Sequence, residues 1–361
     1  MSPETAAANE LAITTNPGLE DVAAAELGDR LADAGLDPDA LDRLPGYLKG
    51  RLRVRHPGGI NDLEAAAARL RSAHHLLRPV ARARLPAEEP LAAIEALLWQ
   101  VPLPELADGA SFRVSCDRQG NQGFDSPDVE RAAGAALVER FGAPVDLTGF
   151  RVQVRVDIAD ELCAVAVQLT RQALSHRFDR HFGPRVALKP NVAYACLRLA
   201  GLTADTRRLL DPFCGSGTLL AEAGWVLPTT ELWGMDQQQR AVAGTRTNLE
   251  AVGLADRLNV AQGDARRIGE QLPPAHFDAI VTNPPFGARL GRSIHFADFY
   301  TDFLTAAGPV LRTQGSLVLL ARQRGALHKA LRRSGAFRVR HEQPIETNKV
   351  YPTIFVLEKT A

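Results

Sequence analysis

The hydrophobic pattern changes character near the middle of the chain. In the first half, Leu11 to Thr15 reads as a strand and Asn16-Pro17-Gly18 as a turn. Residues 19–34 then place Leu19, Val22, Ala23, Leu27 and Leu31 close to helical spacing. Arg51 to Arg55 alternates strictly, which predicts a strand with Leu52 and Val54 inward and the arginines outward. A helix over 61–72 and a strand over 79–85 complete a small α+β unit of mostly antiparallel pairing. A second unit opens near Pro90 with a helix over 91–99 that carries Leu91, Ile94, Leu97 and Leu98 on one face. Ser111 to Cys116 is a strand, and Ser126-Pro127 supplies an N-cap and first helical position for a helix over 127–141. Strands at 151–158 and 162–169 pair across Ala159-Asp160-Glu161. This half reads as a scaffold.

From Asn191 the rhythm becomes strand, helix, strand. Strands are expected at 207–211, 231–236, 258–262, 277–283, 315–321, 336–341 and 352–358. That order predicts a Rossmann-like, doubly wound α/β domain with a mostly parallel seven-stranded sheet. Its last two strands are close enough in sequence to form an antiparallel pair at one edge.

Composition changes this picture little. A chain of 361 residues with 45% hydrophobic content buries a sizeable core and suggests two or three domains. It holds no run of eighteen apolar residues, so no membrane partner is expected. The N-terminus lacks the basic-then-apolar order of a signal peptide. Cys116, Cys163, Cys196 and Cys214 form no Cys-x-x-Cys pair, which argues against a bound metal or a disulfide framework and for a cytoplasmic location. Residues 1–190 carry 22 basic against 27 acidic groups, and residues 191–361 carry 20 against 15. Any nucleic-acid surface must therefore be a local patch.

The strongest motif is at 278–287. The apolar run Ala279-Ile280-Val281 meets Asn283-Pro284-Pro285-Phe286, where two prolines must end the strand. Carboxyl ends of strands in open α/β sheets bind ligands. Asn283 brings a carbonyl acceptor, the turn brings fixed backbone carbonyls, and Phe286 brings an aromatic plane. Such a cluster suits gripping an exocyclic amino group while a flat base stacks on the ring. Some seventy residues upstream, a strand ending in Asp211 runs through Phe213, Cys214, Gly215, Ser216 and Gly217 into a helix at Thr218. Asp236, nineteen residues beyond Gly217, stands where an acid takes ribose hydroxyls, and Asp264 stands where an adenine amino group could donate. The third glycine of a dinucleotide fingerprint is replaced by Leu220, and the acidic Asp211 suits a cationic amino-acid moiety. S-adenosylmethionine fits both features, and NAD fits neither. Cys214, with no histidine near it in sequence, is expected to be a packed turn residue rather than a nucleophile. Between the halves, residues 171–190 hold Arg171, His176, Arg177, Arg180, His181, Arg185 and Lys189 against the single acid Asp179. A solvated linker and a phosphate-binding crossing are equally open readings.

With these motifs in place, nearly the whole chain resembles the THUMP-domain RNA guanine-N2 methyltransferases. Thr15 to Asp21 resembles the family's N-terminal ferredoxin-like domain. Ser111 to Val114, the helix start Phe124 to Pro127 and the strand pair through Gln168-Leu169 resemble the THUMP domain. Leu174 to Phe178 and Ala187 to Asn191 resemble the linker and the start of the catalytic domain. Asp211 to Thr218 and Asn283 to Phe286 resemble the cofactor and target-base motifs, and Val350 to Lys359 the closing strand. The resemblance implies a ferredoxin-like domain at 1–86, a THUMP domain at 87–170, a basic linker at 171–190 and the methyltransferase domain at 191–361. Phe286 stands where many relatives have tyrosine or histidine, which keeps stacking and removes a hydroxyl or imidazole.

The implied reaction is in-line methyl transfer from S-adenosylmethionine to the N2 of a flipped-out guanine, with Asn283 and Pro284 holding its N–H bonds. Asp211 would face the cofactor's amino-acid end, Asp236 its ribose and Asp264 its adenine, while Arg289 and Arg292 are candidates for flanking phosphates. Within the family the similarity is greatest to the bacterial enzymes acting at guanosine 6 of the tRNA acceptor stem. A monomer whose THUMP domain holds the tRNA 3′ end is the expectation. The 23S rRNA branch usually carries a further fused domain, and the same motif also serves DNA adenine-N6 and protein glutamine-N5 methyltransferases. An inactive RNA-binding assembly factor is the alternative outside enzymology.

Overall fold

The computed structural model describes residues 3–183, 187–285 and 295–360. It divides into two compact units, Met1–Thr15 with Ala23–Leu174, and Asn16–Val22 with Ser175–Ala361.

The first unit contains β1 (Glu4–Thr5), β2 (Glu10–Thr14), α1 (Glu20–Asp33, whose first residues belong to the second unit), β3 (Asp42–Leu44), β4 (Arg51–Arg55), α2 (Ile60–Ala67) and β5 (His75–Arg84). It continues with α3 (Pro90–Gln100), β6 (Phe112–Ser115), β7 (Arg118–Gln119), α4 (Ser126–Phe141), β8 (Val152–Ala159) and β9 (Leu162–Gln168). All nine strands form one sheet along the path β3-β4-β2-β5-β9-β8-β6, with β1 on β5 and β7 on β8. The strand expected at 79–85 starts four residues earlier, and it carries Pro79 because the ladder to β9 shifts register between Pro79 and Ala81. A bulge spares the proline a hydrogen bond it cannot donate. The α4 cap moves as well: Asp125, not Ser126, is the N-cap, because Asp125 and Asp128 bind each other's backbone N–H in a capping box.

One expectation is overturned. Two of the three arginines of β4 do not point outward to solvent: Arg51 is 8% and Arg53 4% exposed, and only Arg55 at the strand end is half-exposed. Arg51 donates through Nε and Nη2 to Asp157 Oδ2 at 3.3 and 3.1 Å, and through Nη2 to Asp117 Oδ2 at 2.5 Å. Arg155 binds the same two carboxylates at 2.6 and 2.8 Å. Arg53 pairs with buried Glu10 at 2.7 Å. Alternation predicts exposure only where one face of a strand is wet, and β4 is covered on both.

The second unit contains α5 (Pro190–Leu199), β10 (Arg208–Asp211), α6 (Thr218–Val226), β11 (Glu231–Asp236), α7 (Gln239–Ala251), β12 (Leu258–Gln262), α8 (Ile268–Gln271) and β13 (Phe277–Thr282). It ends with α9 (Phe296–Val310), β14 (Leu311–Ala321), α10 (Arg324–Ser334), β15 (Phe337–Pro344) and β16 (Thr353–Lys359). The sheet order is β12-β11-β10-β13-β14-β16-β15. The five strands from β12 to β14 are mutually parallel, while β16 runs against both β14 and β15. The last two strands do pair antiparallel at one edge, and the reversed one lies one place in from it. Leu209, Ala279 and Val281 point into a core with α5 and α6, and Leu210 and Ile280 into one with α9 and α10. Both faces are thus covered, as a parallel sheet requires. Asn16 belongs here too: its Nδ2 donates to Glu346 O at 2.7 Å and its Oδ1 accepts from buried Asn191 Nδ2 at 2.8 Å.

Removing Asp157 leaves two part-buried guanidinium groups sharing only Asp117. Asp157→Ala should therefore destabilise the first unit by about 3 kcal/mol. Its denaturant transition measures this, and a loss below about 1 kcal/mol would show the network to be dispensable.

Candidate active site

The site is built where chain order reverses. β10 lies between β11 and β13, with Leu210 level with Ile280 and Asp211 level with Gly234. Ligands of doubly wound sheets bind outside this reversal, at the carboxyl ends of the strands. Three of the expected carboxylates stand at strand ends: Asp211 closes β10, Asp236 closes β11, and Asp264 follows β12.

Asp211 is 2% exposed. Its Oδ1 accepts from Thr282 Oγ1 at 2.6 Å and from Phe213 N at 3.1 Å. Burial pushes its carboxyl up to about 7 against these two bonds, and the Asp236 charge pushes the same way. Asp236 braces the glycine-rich turn from outside, accepting Gly215 N at 3.1 Å and Gln238 N at 2.9 Å. Cys214 N donates to Met235 O at 2.8 Å, so the turn is pinned to the end of β11. Gly215 and Gly217 both have left-handed backbone, φ 55° and 77°. At Gly217 a side chain is excluded twice, since a Cβ would also lie 2.6 Å from Leu249 Cδ1 and 3.0 Å from Thr245 Cγ2. Ser216 and Thr218 are buried with their hydroxyls 3.2 Å apart, and Thr218 opens α6. Cys214 is buried and burial raises its thiol pKa, which leaves it a packing residue.

Asp264 is differently engaged. Its carboxylate caps the turn at Ala265–Arg267 and binds the Arg266 guanidinium at 2.6 Å, which holds it down at about 2. An incoming amino group would share that carboxylate with Arg266.

β13 is buried from Ala279 to Thr282 and delivers Asn283, then buried Pro284 and half-buried Pro285. Asn283 Oδ1 is buried with no hydrogen-bond partner among the described residues. A buried acceptor left open costs free energy unless a ligand fills it. Phe213 packs edge-on to Phe303 and tilted against Phe299 of α9, so it joins the turn to the helix beyond the Pro-Pro segment. Phe286, Arg289 and Arg292 lie outside the described residues, as does Arg185.

The basic segment resolves into separate jobs. Arg177 does not offer itself to phosphate: its Nε binds Glu222 Oε1 at 2.8 Å, and Glu222 is fully buried on α6. Arg180 donates to Leu188 O at 3.1 Å and lies 5.7 Å from the Phe178 ring. Lys189 is half-buried at the start of α5, where desolvation lowers its pKa. Arg171 is exposed and lies 5.9 Å over Phe150 in the first unit.

Four contributors were not singled out from the sequence: Thr282, Glu222, Thr245 and Asn248. Thr245 Oγ1 donates to Gly215 O at 3.0 Å. Asn248 Nδ2 donates to Ser216 O at 2.9 Å and to Phe182 O at 2.7 Å, while its Oδ1 accepts Phe182 N at 3.0 Å. One amide thus ties the cofactor turn to the linker. Both residues occupy the stripe of α7 that also buries Ala241, Val242 and Leu249, and polar residues on an apolar stripe were the available signal.

Comparison with known proteins bears on the family and the fold. Residues 88–168 match the family model of the THUMP domain, and residues 177–352 match that of the RMKL-like methyltransferase domain. A tRNA (guanine(6)-N2)-methyltransferase of Thermus thermophilus is 39% identical over 350 residues, covering 97% of this chain and 99% of the relative. An enzyme of the same description from Archaeoglobus fulgidus is 27% identical, over 69% of this chain and 70% of its own. Among solved structures, TrmN from Thermus thermophilus superimposes with a TM-score of 0.78 at 37% identity, covering 97% and 99% of the two chains. SMU.472 complexed with SAH shares the fold over both full lengths, with a TM-score of 0.74 at 18% identity. With a THUMP domain, an RMKL-like catalytic domain and this end-to-end similarity, the chain belongs to the THUMP-domain RNA guanine-N2 methyltransferases.

Proposed function

We propose that the chain transfers a methyl group from S-adenosylmethionine to the exocyclic N2 of guanosine 6 in the tRNA acceptor stem. The named activities of the Thermus and Archaeoglobus relatives support the address. The observation that carries the chemistry is Asn283 Oδ1, a buried acceptor at the carboxyl end of β13 with no hydrogen-bond partner among the described residues.

The residues present fit the cofactor. Asp211 keeps a carboxylate in a dry place where a cationic ligand favours its charged form, and Gly217, packed against Thr245 and Leu249, lets the turn take its left-handed backbone beside it. Gly215, Asp236 and Asp264 would complete the holding set. When bound, S-adenosylmethionine supplies an electrophilic methyl group. The chain's own task is positioning. Asn283 Oδ1 and the Pro284 carbonyl accept the two N–H bonds of the guanine amino group and turn its lone pair out of conjugation with the ring. Prolines 284 and 285 hold those acceptors still, so little motion is lost when the base arrives. The proton leaves to water after attack, and no general base is required. A guanine in a stem must be flipped out to reach this turn, with Phe286 as its stacking partner.

On this reading the working divisions are 1–86, 87–170, 171–190 and 191–361, and the protein acts as a cytoplasmic monomer. The THUMP domain holds the tRNA 3′ end and the stem is read by shape and backbone. Arg171, Lys189, Arg185, Arg289 and Arg292 remain the RNA candidates. Arg177 and Arg180 become supports of the linker.

Two outcomes are expected. Asn283→Ala should lower kcat by about a hundredfold or more while S-adenosylmethionine affinity stays within about twofold. Nucleoside mass analysis of methylated transcript is the readout, and N2-methylguanosine should vanish when guanosine 6 is replaced. A variant keeping half the activity, or methyladenosine as product, would sink the reading. The second concerns pH. Asp211 is raised to about 7, so below that pH it is neutral, and a cationic ligand must drive off its proton to bind. S-adenosylmethionine affinity should rise about tenfold in all between about pH 6 and 8, most of it below about 7, and Asp211→Asn should flatten the curve. Titration calorimetry at three pH values decides it.

A further inference from the structure

The connection from β15 to β16, residues 345–352, carries features the proposed mechanism leaves unused. Thr347 and Val350 exchange both backbone hydrogen bonds, at 2.9 and 3.0 Å. The two residues between them, Asn348 and Lys349, are both left-handed, with φ 50° and 61°. This is the two-residue hairpin turn that favours Asn-Gly, and a lysine in its second place is strained. The stem is held firmly. Ile345 and Pro352 are buried, Glu346 N donates to Pro17 O at 2.9 Å, and Asn16 Nδ2 binds Glu346 O. Beside this fixed tip, Tyr351 is 67% exposed, more than any other large hydrophobic side chain among the described residues.

Topology puts the tip on the catalytic side. Thr353 pairs with Ala321, the last residue of β14, so the hairpin emerges beyond the carboxyl end of the parallel strands. Thr282 is level with Leu319 on β14, only two residues before Ala321. With β16 two strands from β13, the lateral offset from Asn283 to the tip is about 10 Å. Exposed Arg322, next after β14, and exposed Lys349 in the turn lie at the same end of the sheet as Tyr351, and the half-buried Glu346 is the tip's only acid.

We propose that this tip is a second RNA contact. Tyr351 stacks on the base next to the flipped guanine, and Lys349 and Arg322 hold the adjoining phosphates; this rests on the RNA reading above. Flipping one nucleotide uncovers the face of its neighbour. An aromatic ring held at low entropy cost takes that face regardless of sequence, and cations alongside follow the backbone.

The test uses the full chain and an unmodified tRNA transcript carrying 2-aminopurine next to guanosine 6. Tyr351→Ala should weaken tRNA binding about tenfold or more and abolish the stacking quench, with S-adenosylmethionine affinity unchanged. Tyr351→Phe should restore both, which a merely structural hydroxyl would not allow. Lys349→Gln should lower the salt slope of tRNA binding by about 0.7 to 1. Wild-type affinity and quench in Tyr351→Ala would overturn the proposal. A wild type that binds tRNA but methylates another atom overturns the proposed reaction while the Tyr351 comparison still stands. A wild type that binds no tRNA overturns both.

Discussion

The bond from Thr282 Oγ1 to Asp211 Oδ1, 2.6 Å long and buried, joins the two halves of the site. It exists because β10 and β13 are neighbours at the point where chain order reverses, although their ends are 71 residues apart in sequence. Burying a carboxylate is costly, and one hydroxyl with one backbone N–H offsets that only in part, as its raised pKa records. On the proposed function, the cationic cofactor relieves the remaining penalty. Because Thr282 immediately precedes Asn283, the same bond sets the height of the Asn283-Pro284-Pro285 turn against the glycine-rich turn. A shift in one strand would misplace both.

The turn is also held from its other side. Asn248 binds Ser216 and both backbone groups of Phe182, and Gly244 makes this possible, since a Cβ there would lie 2.2 Å from the Phe182 ring. The neighbouring Arg177 is tied down by Glu222. Three helical residues therefore commit the middle of the basic segment, Arg177 to Phe182, to the second unit. Charge density alone left a solvated linker and a phosphate site equally open. Glu222, 45 positions away and lying in an apolar helix, is the partner of Arg177.

Legibility followed the range of the interaction. β10 and β13 fall within a residue of where the sequence places them, because buried parallel strands are apolar runs closed by Asp, Gly or Pro, and β11 and the edge strand β12 fall at the expected bounds. The glycines of the cofactor turn were legible for the same local reason. Arg51 and Arg53 were not, since their burial depends on Asp157 and Glu10, which no local pattern connects to β4. Nor was Thr282, which as a β-branched residue in a strand satisfies propensity alone.

The grip at Asn283 raises a question of selectivity. An acceptor pair reads an exocyclic amine as such, and guanine N2 and adenine N6 both present two N–H bonds. Specificity is a difference of affinities, so it must come from contacts that treat the two bases or their settings differently. The described part of the turn offers none, since Asn283, Pro284 and Pro285 contact the amine alone on the proposed mechanism. Selection then falls to the parts that decide which nucleotide can reach the turn. On the proposed function, this gives a chain with this motif a use for its nine-stranded, THUMP-bearing unit. It also gives a sequence-tolerant contact such as Tyr351 a use, because stacking on the neighbouring base adds affinity for an opened stem without favouring one base over another.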